Sequence, residues 1–546
     1  MKPLWKWCLG IAAGLLIILV FVNWYVNRRW QPQLEARLNA LVTDKTDSLY
    51  RLAYDGMEIS LLTGSATVTG VRLAPDTTML ERDGQGPDAI YRVRIARLEV
   101  GGLGVLRLAL GGKPRIGSLR LDGPEVRITR LVPQDTASAD TSDSFMAELA
   151  KTLEGVRLKR LQINNGQLMV DALPDAMLLD VQAISADVRD VRIDSAALRD
   201  TTRLYYAGAI RIDLGKVSYT TPDSLYRLRL GALHLATGSG ELTLRELRYG
   251  LTVSKADFYR RVKRAKDIAD VDIGRLELTG LSVARWTKDG MLAATALHVD
   301  SGAISIYKDK LQPNPPENKI GKSPHQQLLS MEQPVAIDSI RVRALDIAFT
   351  EVSDQTGKAG TVTFDATDAV IRNVTNVRER MKTDRYLTLD ARSKAMGTGD
   401  LSVQFRFDLL DSLGGHTYAA RLGPMDGRRF NRMLTPHLNV EVENADIRGM
   451  RFEMAANDLR TEGTLQLDYR QLKMNLVEAS GEDAGEKKPL ISFFANRFLV
   501  NDSNPDANGQ HHTGKVYIPR PKTFSFFKTI WRSIREGTKQ CIGMEE

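Results

Sequence analysis

The sequence predicts a mainly β protein: an N-terminal transmembrane helix, an elongated and repetitive antiparallel β-sheet with few short helices, and a C-terminal amphipathic helix. Three observations predict it. The chain opens on one long apolar run, most of the remainder alternates apolar and charged residues, and one set of apolar spacings recurs along it.

The 546 residues suffice for several ordinary domains or for one long array. Charged residues make up 26% and the formal net charge is +8, with the arginines mostly at alternate strand positions. That pattern describes a solvated sheet face, so no nucleic-acid partner is expected. Cys8 and Cys541 are the two cysteines, which gives no basis for a disulfide framework or a thiolate metal site.

From Leu4 to Val26 the chain is almost continuously apolar, with Leu15, Leu16, Ile17, Ile18 and Leu19 at its centre, and it carries no charge from Trp7 to Asn27. As a helix it is long enough to cross a bilayer. Trp5 and Trp7 flank one end and Trp24 and Tyr25 the other, where amphipathic rings favour the headgroup region. The run exits through NWYVNRRW without a small-residue cleavage site, which favours an anchor over a cleaved signal peptide. Positive charge flanks both ends. A short tail, one span and a long remainder therefore set the expectation: a single-pass inner (cytoplasmic) membrane protein with its bulk in the periplasm. Gln31 to Leu49 has helical apolar spacing and reads as a short helix, either just off the membrane or capping a sheet end.

The recurring unit is clearest at residues 116–129, IGSLRLDGPEVRIT. It reads as two short strands around an Asp122-Gly123-Pro124 turn, with Leu119, Leu121, Val126 and Ile128 on one face and Arg120, Glu125 and Arg127 on the other. LKRLQINNGQLMV repeats the spacing through Leu158, Leu161, Ile163, Leu168 and Val170. IGRLELTGLSVAR repeats it through Ile273, Leu276, Leu278 and Val283, and IDSIRVRALDIAF through Ile337, Ile340, Val342, Ile347 and Phe349. ALHVDSGAISI carries a fainter copy. Hairpins of any antiparallel sheet protein would be spaced similarly, and that reading stays open.

The N-terminal span, LEARLNALV, ISLLTGSATVTGVRL, IARLEVGGLGVLRLALGGKPRIGSLRLDGPEVRI and LKRLQINNGQLMV together resemble the N-terminal part of AsmA-like proteins. Those are relatives of the TamB and YhdP group and, more distantly, of chorein-type bridge proteins. The likeness covers roughly the first third of the chain and continues through the recurring strand units. It implies a protein that holds lipids in an apolar groove and moves them between membranes.

Farther along, LVPQDTASADTSD is a polar loop followed by a short helix, FMAELAKTLEG, and a strand unit. LQPNPPENKIGKSP, HQQLLSMEQ and a further strand unit repeat that order, as insertions at a sheet edge or as domain boundaries. SKADFYRRVKRAKDIADVD reads as a basic, solvated surface helix. Five segments follow from the organisation: 1–29 the anchor, 30–130 a helix plus N-terminal strands, 131–335 and 336–520 strand units, and 521–546 a basic helix and tail. On that last helix Phe527, Ile530, Trp531 and Ile534 share one side, and Lys528, Arg532, Arg535 and Lys539 lie across from them. It suits an anionic bilayer surface, and equally a helix packed over the end of the sheet.

No nucleophile elbow, phosphate loop, zincin helix or dinucleotide fingerprint occurs in its required context, so no catalytic residue, metal or cofactor is assigned. The seven histidines show no ligand spacing. A sheet with one apolar face and few helices to cover it either packs face to face with another or leaves a groove for an apolar ligand. The expectation is a lipid-handling envelope protein that takes phospholipid or another acyl lipid. Its groove would be lined by Leu119, Leu121, Val126, Ile128, Leu161, Ile163, Leu168, Val170, Leu276, Leu278, Ile340, Val342 and Ile347. A second membrane or an envelope protein would be met through the C-terminal helix. The competing expectation is a membrane-tethered scaffold for outer-membrane proteins, with closed sandwich units and no lipid channel. A membrane hydrolase comes third, for want of a catalytic constellation.

Overall fold

The computed structural model describes residues 49–544 apart from 61–63, 77–88, 103–116, 132–155, 173–175, 195, 205 and 477–499. The predicted anchor around Leu15, Leu16, Ile17, Ile18 and Leu19, nearly all of the helix expected from Gln31, the helix FMAELAKTLEG and the loop SGEDAGEKKP lie outside the described residues. Among the described residues, no helix is long and apolar enough to cross a membrane. The chain is mainly β, and it divides into two compact units, Met1–Arg245 with Leu281–Lys288, and Glu246–Gly280 with Asp289–Glu546.

In the first unit β1 (Tyr50–Ala53) and β2 (Gly56–Ser60) both pair with β3 (Ser65–Pro75). Then β4 (Ala89–Gly101), β5 (Ser118–Arg130), β6 (Val156–Ala172) and β7 (Ala176–Ile193) each join the strand before. β8 (Ala207–Leu214) and β9 (Val217–Thr220) share the far edge of β7. β10 (Tyr226–Leu230) extends β9, β11 (Ala232–Ala236) extends β8, and β12 (Glu241–Leu251) pairs with β11.

The second unit carries α1 (Lys255–Val262), β13 (Ile268–Thr279), β14 (Leu292–Asp309), α3 (Pro324–Leu329), β15 (Val335–Val352), β16 (Ala359–Thr375), α4 (Arg378–Thr383), β17 (Tyr386–Ala395), β18 (Gly399–Asp408) and β19 (His416–Leu422). It continues with β20 (Met425–Asp426), α5 (Asn431–Leu438), β21 (Val440–Ala456), β22 (Arg460–Leu476), β23 (Thr513–Pro519) and α6 (Phe526–Cys541). Its strands from β13 to β23 pair in chain order, with β19 and β20 both on β21. The short helix α2 (Val283–Asp289) falls mostly in the first unit.

Two pairings correct the expectation of a wholly antiparallel sheet: β5 with β6, and β14 with β15, run parallel. A parallel neighbour needs a crossover of a dozen residues or more. The two polar linkers of the sequence sit at these two places, and the second holds α3. They are crossovers.

The recurring unit is not a hairpin. Ser118 to Arg130 is one strand running straight through Asp122-Gly123-Pro124, paired with β4 on one side and β6 on the other. Gly123 has φ +59°, and the residue two places past the third apolar position is left-handed in every copy: Asn165 (+53°), Gly280 (+66°), Ser301 (+56°) and Ala344 (+48°). Strict alternation would put apolar residues five apart on opposite faces. A single left-handed residue resets the alternation, as in a bulge, so Leu121 and Val126 pack against the same core cluster. In the copy that begins at Ile273 the strand ends at Thr279, and Val283 opens α2 instead.

The units also share a module. β4 to β7 pair antiparallel, parallel and antiparallel, and β13 to β16 do the same. Leu98, Val100, Leu119, Leu121 and Gly123 precede Leu276, Leu278, Leu297, Val299 and Ser301 by one constant interval. Partners match: Val100 faces Leu119 as Leu278 faces Leu297, and Leu161 faces Val188 as Ile340 faces Ile371.

Candidate functional site

Register turns alternating strands into apolar rows that cross them. In the first unit one row runs Met57, Val68, Leu98, Leu121, Ile163, Ala186, Ile212, Leu235, Leu242. Beside it run Ala66, Val100, Leu119, Leu161, Val188, Ile210, and farther along the strands Leu73, Val93, Val126, Leu168, Val181, Val217, Leu230. The opposite face carries Glu99, Arg120, Gln162, Asp187 and Arg211 in line. There Arg160 and Arg189 hold the Asp187 carboxyl down to about 2, chiefly through the Arg160 hydrogen bond.

Burial changes along a row. Val68 and Leu98 are buried, whereas Leu121, Ile163, Ala186, Ile212, Leu235 and Leu242 are each half-buried. In the second unit the row Leu276, Val299, Val342, Ala369, Ala391, Val403 is half-buried and then continues into buried Ala420, Phe452 and Leu465. Its neighbour Leu278, Leu297, Ile340, Ile371, Leu389, Phe405, Tyr418, Met454 is half-buried from Leu297 to Phe405 and buried at both ends.

The closed end lies under α6. Phe526 packs on Leu387, Phe407 and Leu409, and Ile530, Ile534 and Cys541 join the cluster around Leu465 and Tyr469. Thr529, Ser533, Gly537 and Cys541 form a buried stripe. Small side chains there bring the helix onto the strands until Gly537 meets Gly514 of β23, where a Cβ on Gly514 would lie 2.3 Å from the Gly537 carbonyl oxygen. Gln540 closes the exposed edge of β23, accepting from the Lys515 N–H at 2.7 Å and donating to its carbonyl at 3.0 Å. Farther along the sheet the cover is partial: Leu328 and Leu329 of α3 and the row residues Ile371 and Phe405 pack against a cluster of Met381 of α4, Leu387, Phe407 and Phe526, and α5 lies against β16.

The expected groove residues fall accordingly. Leu119, Ile128, Val170 and Leu278 are buried, while Leu121, Val126, Leu161, Ile163, Leu168, Leu276, Ile340, Val342 and Ile347 are half-buried, and all stand on the apolar face. Spacing identified them, but the full width of the rows escaped it, because Ala186, Ile212, Leu235, Leu389 and Val403 belong to strands outside the repeated spacing.

On α6 the expected single apolar side divides. Ile530 and Ile534 pack on the sheet, Phe527 is 72% exposed and Trp531 40% exposed, and Phe526 takes the buried place. The stripe of small residues rotates the helix away from the face that apolar size alone suggests. α1 also differs from a solvated helix: Phe258 and Tyr259 are buried, and the Tyr259 hydroxyl donates to the Lys266 carbonyl and accepts from the Asp309 N–H, both at 3.0 Å.

Among the described residues no cluster of His, Cys, Asp and Glu could hold a metal ion. Two hollows of about 320 and 670 Å³ lie on the polar face of β17 to β22, where the Arg406 guanidinium stacks 3.6 Å over the Tyr386 ring. Their linings mix cross-strand polar side chains such as Thr388, Asp390, Gln404, Thr417 and Glu462 with Phe405, Ala455 and Met454. What the described residues present is an apolar surface with a charged face behind it.

No protein-family model matches the chain, and no curated protein matches it either.

Proposed function

We propose that this is a membrane-anchored envelope protein that binds or conducts lipids along its half-buried apolar rows, with the inner membrane as its attachment and the periplasm as its location. The observation that carries the reading is the in-register continuity of those rows. Strands lie about 4.8 Å apart, so the half-buried stretch from Leu276 to Val403 is roughly 24 Å long. One leaflet's acyl chains span about 15 Å, half of a hydrocarbon core. An acyl chain fits along a row with length to spare, and a side-by-side pair of rows suits a two-chain lipid. The part of each row that water reaches favours an occupant, because apolar contact with water costs about 25 cal/mol per Å². The rows offer equivalent apolar sites at each strand, so displacement along them meets no covalent or ionic barrier.

The test uses register as its own control. The full-length chain carries a photo-crosslinking residue at Ile212, Val342 or Leu389, or at the neighbours Arg211, Arg343 or Asp390 on the opposite face, and is irradiated in cells. Phospholipid adducts from the first set alone are expected. Equal yields from both faces would sink the lipid reading, and adducts to an outer-membrane protein would favour the scaffold.

A further inference from the structure

We propose that the outer side of α6 is a docking surface for an anionic phospholipid bilayer, separate from the rows and independent of what fills them. The helix is fixed in rotation, since Gly537 lies against Gly514 and Phe526 is buried among Leu387 and Phe407. Its outward side is therefore a fixed presentation rather than a face free to turn inward. On that side Phe527 is the most exposed large apolar residue among those described, and Trp531 is exposed one turn along.

The charge beside them is one-sided. From Phe526 to Cys541 the helix holds Lys528, Arg532, Arg535 and Lys539 against one acid, Glu536. Arg535 and Lys539 pair with Glu536 at 3.0 and 3.7 Å. Lys528 and Arg532 have no carboxylate within ion-pair distance among the described residues; both cations lie over the Phe524 ring, at 4.3 and 5.3 Å, and the Arg532 Nε is buried without a hydrogen-bond partner among the described residues. The acids nearest Lys528 are Glu351 and Asp354, and Glu351 is already held by Lys310. Two cations without a carboxylate partner among the described residues, stacked on an aromatic next to Phe527 and Trp531, match an anionic interface: rings enter the headgroup layer while the cations meet phosphates. A protein partner would ask for carboxylates placed to suit each cation, whereas a bilayer needs only a plane of negative charge.

The test uses the full-length chain with Cys8→Ser and Phe527→Cys, labelled with an environment-sensitive nitrobenzoxadiazole. Cys541 is fully buried, so the label goes to position 527. The chain is reconstituted into phosphatidylcholine vesicles with or without phosphatidylglycerol. Expected are a blue shift and quenching by doxyl-labelled lipid in the anionic vesicles, with far less in phosphatidylcholine alone. Adding Lys528→Glu and Arg532→Glu weakens the response about 30-fold, at roughly fivefold per cation lost. A response equal in both lipids, none in either, or a shift that follows protein concentration in the absence of lipid, as a second copy would produce, overturns the proposal. Photo-crosslinking of lipid at Val342 in the charge-reversed chain reports on the rows separately, so either reading can fail alone.

Discussion

Asp458, in the hairpin between β21 and β22, and Arg520, just after β23, form a buried ion pair at 2.8 Å, with side chains 6% and 2% exposed. Around it Arg520 donates to Ser323 and to the Lys319 carbonyl, and Asp458 accepts from the Gly321 N–H and Gln326. The pair thereby pins the β14–β15 crossover and α3 to the part of the unit that carries α6. Removing one partner leaves a charge buried without compensation, which costs about 3–5 kcal/mol. Asp458→Ala should therefore lower the urea midpoint and make the 310–334 segment sensitive to protease, while Asp458→Ala with Arg520→Met recovers much of the loss. A single variant as stable as the parent would show that the crossover is held elsewhere.

Burial sets a pH dependence near the same pair. His325 is 2% exposed and its ring lies 4.8 Å from Phe407. Burial, with a smaller push from His416, lowers its pKa from the ordinary 6.5 to about 4. His416 is lowered in the same direction, mainly by burial. A histidine kept neutral in the folded state favours folding above its unfolded pKa. As pH falls from 6.5 towards 4 the unfolded chain takes up the proton first, so stability declines over that window and levels off below it. His325→Phe should flatten that part of the denaturant-midpoint profile between pH 7 and 4.5. An unchanged slope would assign the effect to other groups.

The left-handed places separate what could be read in the sequence from what could not. Ala344 and Ala366 sit at φ +48° and +49° in β15 and β16, where an L-residue with a Cβ loses about 1–2 kcal/mol. Glycine removes that strain and gives back about half in chain entropy, so Ala344→Gly and Ala366→Gly should each stabilise by about 0.5–1 kcal/mol in equilibrium denaturation. A loss on substitution would mean that the Cβ makes a contact worth more than the strain.

The spacing of Leu119, Leu121, Val126 and Ile128 placed all four on one face, and the structure agrees; the device that does this was misread. Asp-Gly-Pro is a strong turn signal, and nothing in the local sequence distinguishes a chain that reverses there from one that passes through with Gly123 left-handed. Asn165 before Gly166, Ser301 before Gly302 and Gly280 are turn signals as good as Asp-Gly-Pro; Ala344 is the one poor hairpin residue among the copies, and there the ambiguity could have been resolved. Parallel pairing at β5–β6 and β14–β15 is a property of distant partners and leaves its trace only in the length of the linkers. The buried side of α6 escaped for a related reason: Thr529, Ser533 and Gly537 are small and polar or bare, so a hydrophobicity argument passes over the stripe that backbone approach requires.

Gly537 makes that approach testable. A Cβ there would meet the Leu465 side chain at 2.7 Å, so Gly537→Leu lifts the C-terminal half of α6 and uncovers Cys541, whose thiol burial holds at a raised pKa. With Cys8 replaced by serine, the parent thiol should resist modification in native buffer and the variant thiol react readily. A variant thiol as inert as the parent's would mean that the helix tolerates the branch without moving.

Leu98, Ile163 and Ile212 stand in one row, and the lipid reading predicts different fates for the same substitution along it. Leu98 is 1% exposed, so Leu98→Asp buries a carboxylate among apolar neighbours and should cost more than about 4 kcal/mol, unfolding the first unit. Ile163 and Ile212 are half-buried, where a carboxylate can reach water. Ile163→Asp and Ile212→Asp should leave the melting transition within a few degrees of the parent and interrupt the row for an acyl chain. Crosslinks from Leu235, on the far side of Ile212, should fall severalfold in both variants if lipid must travel along the row, and stay unchanged if each position loads directly from its surroundings. Unfolding of the Ile212 variant on the scale of Leu98→Asp would instead show that the row is covered throughout, as closed packing against another layer requires.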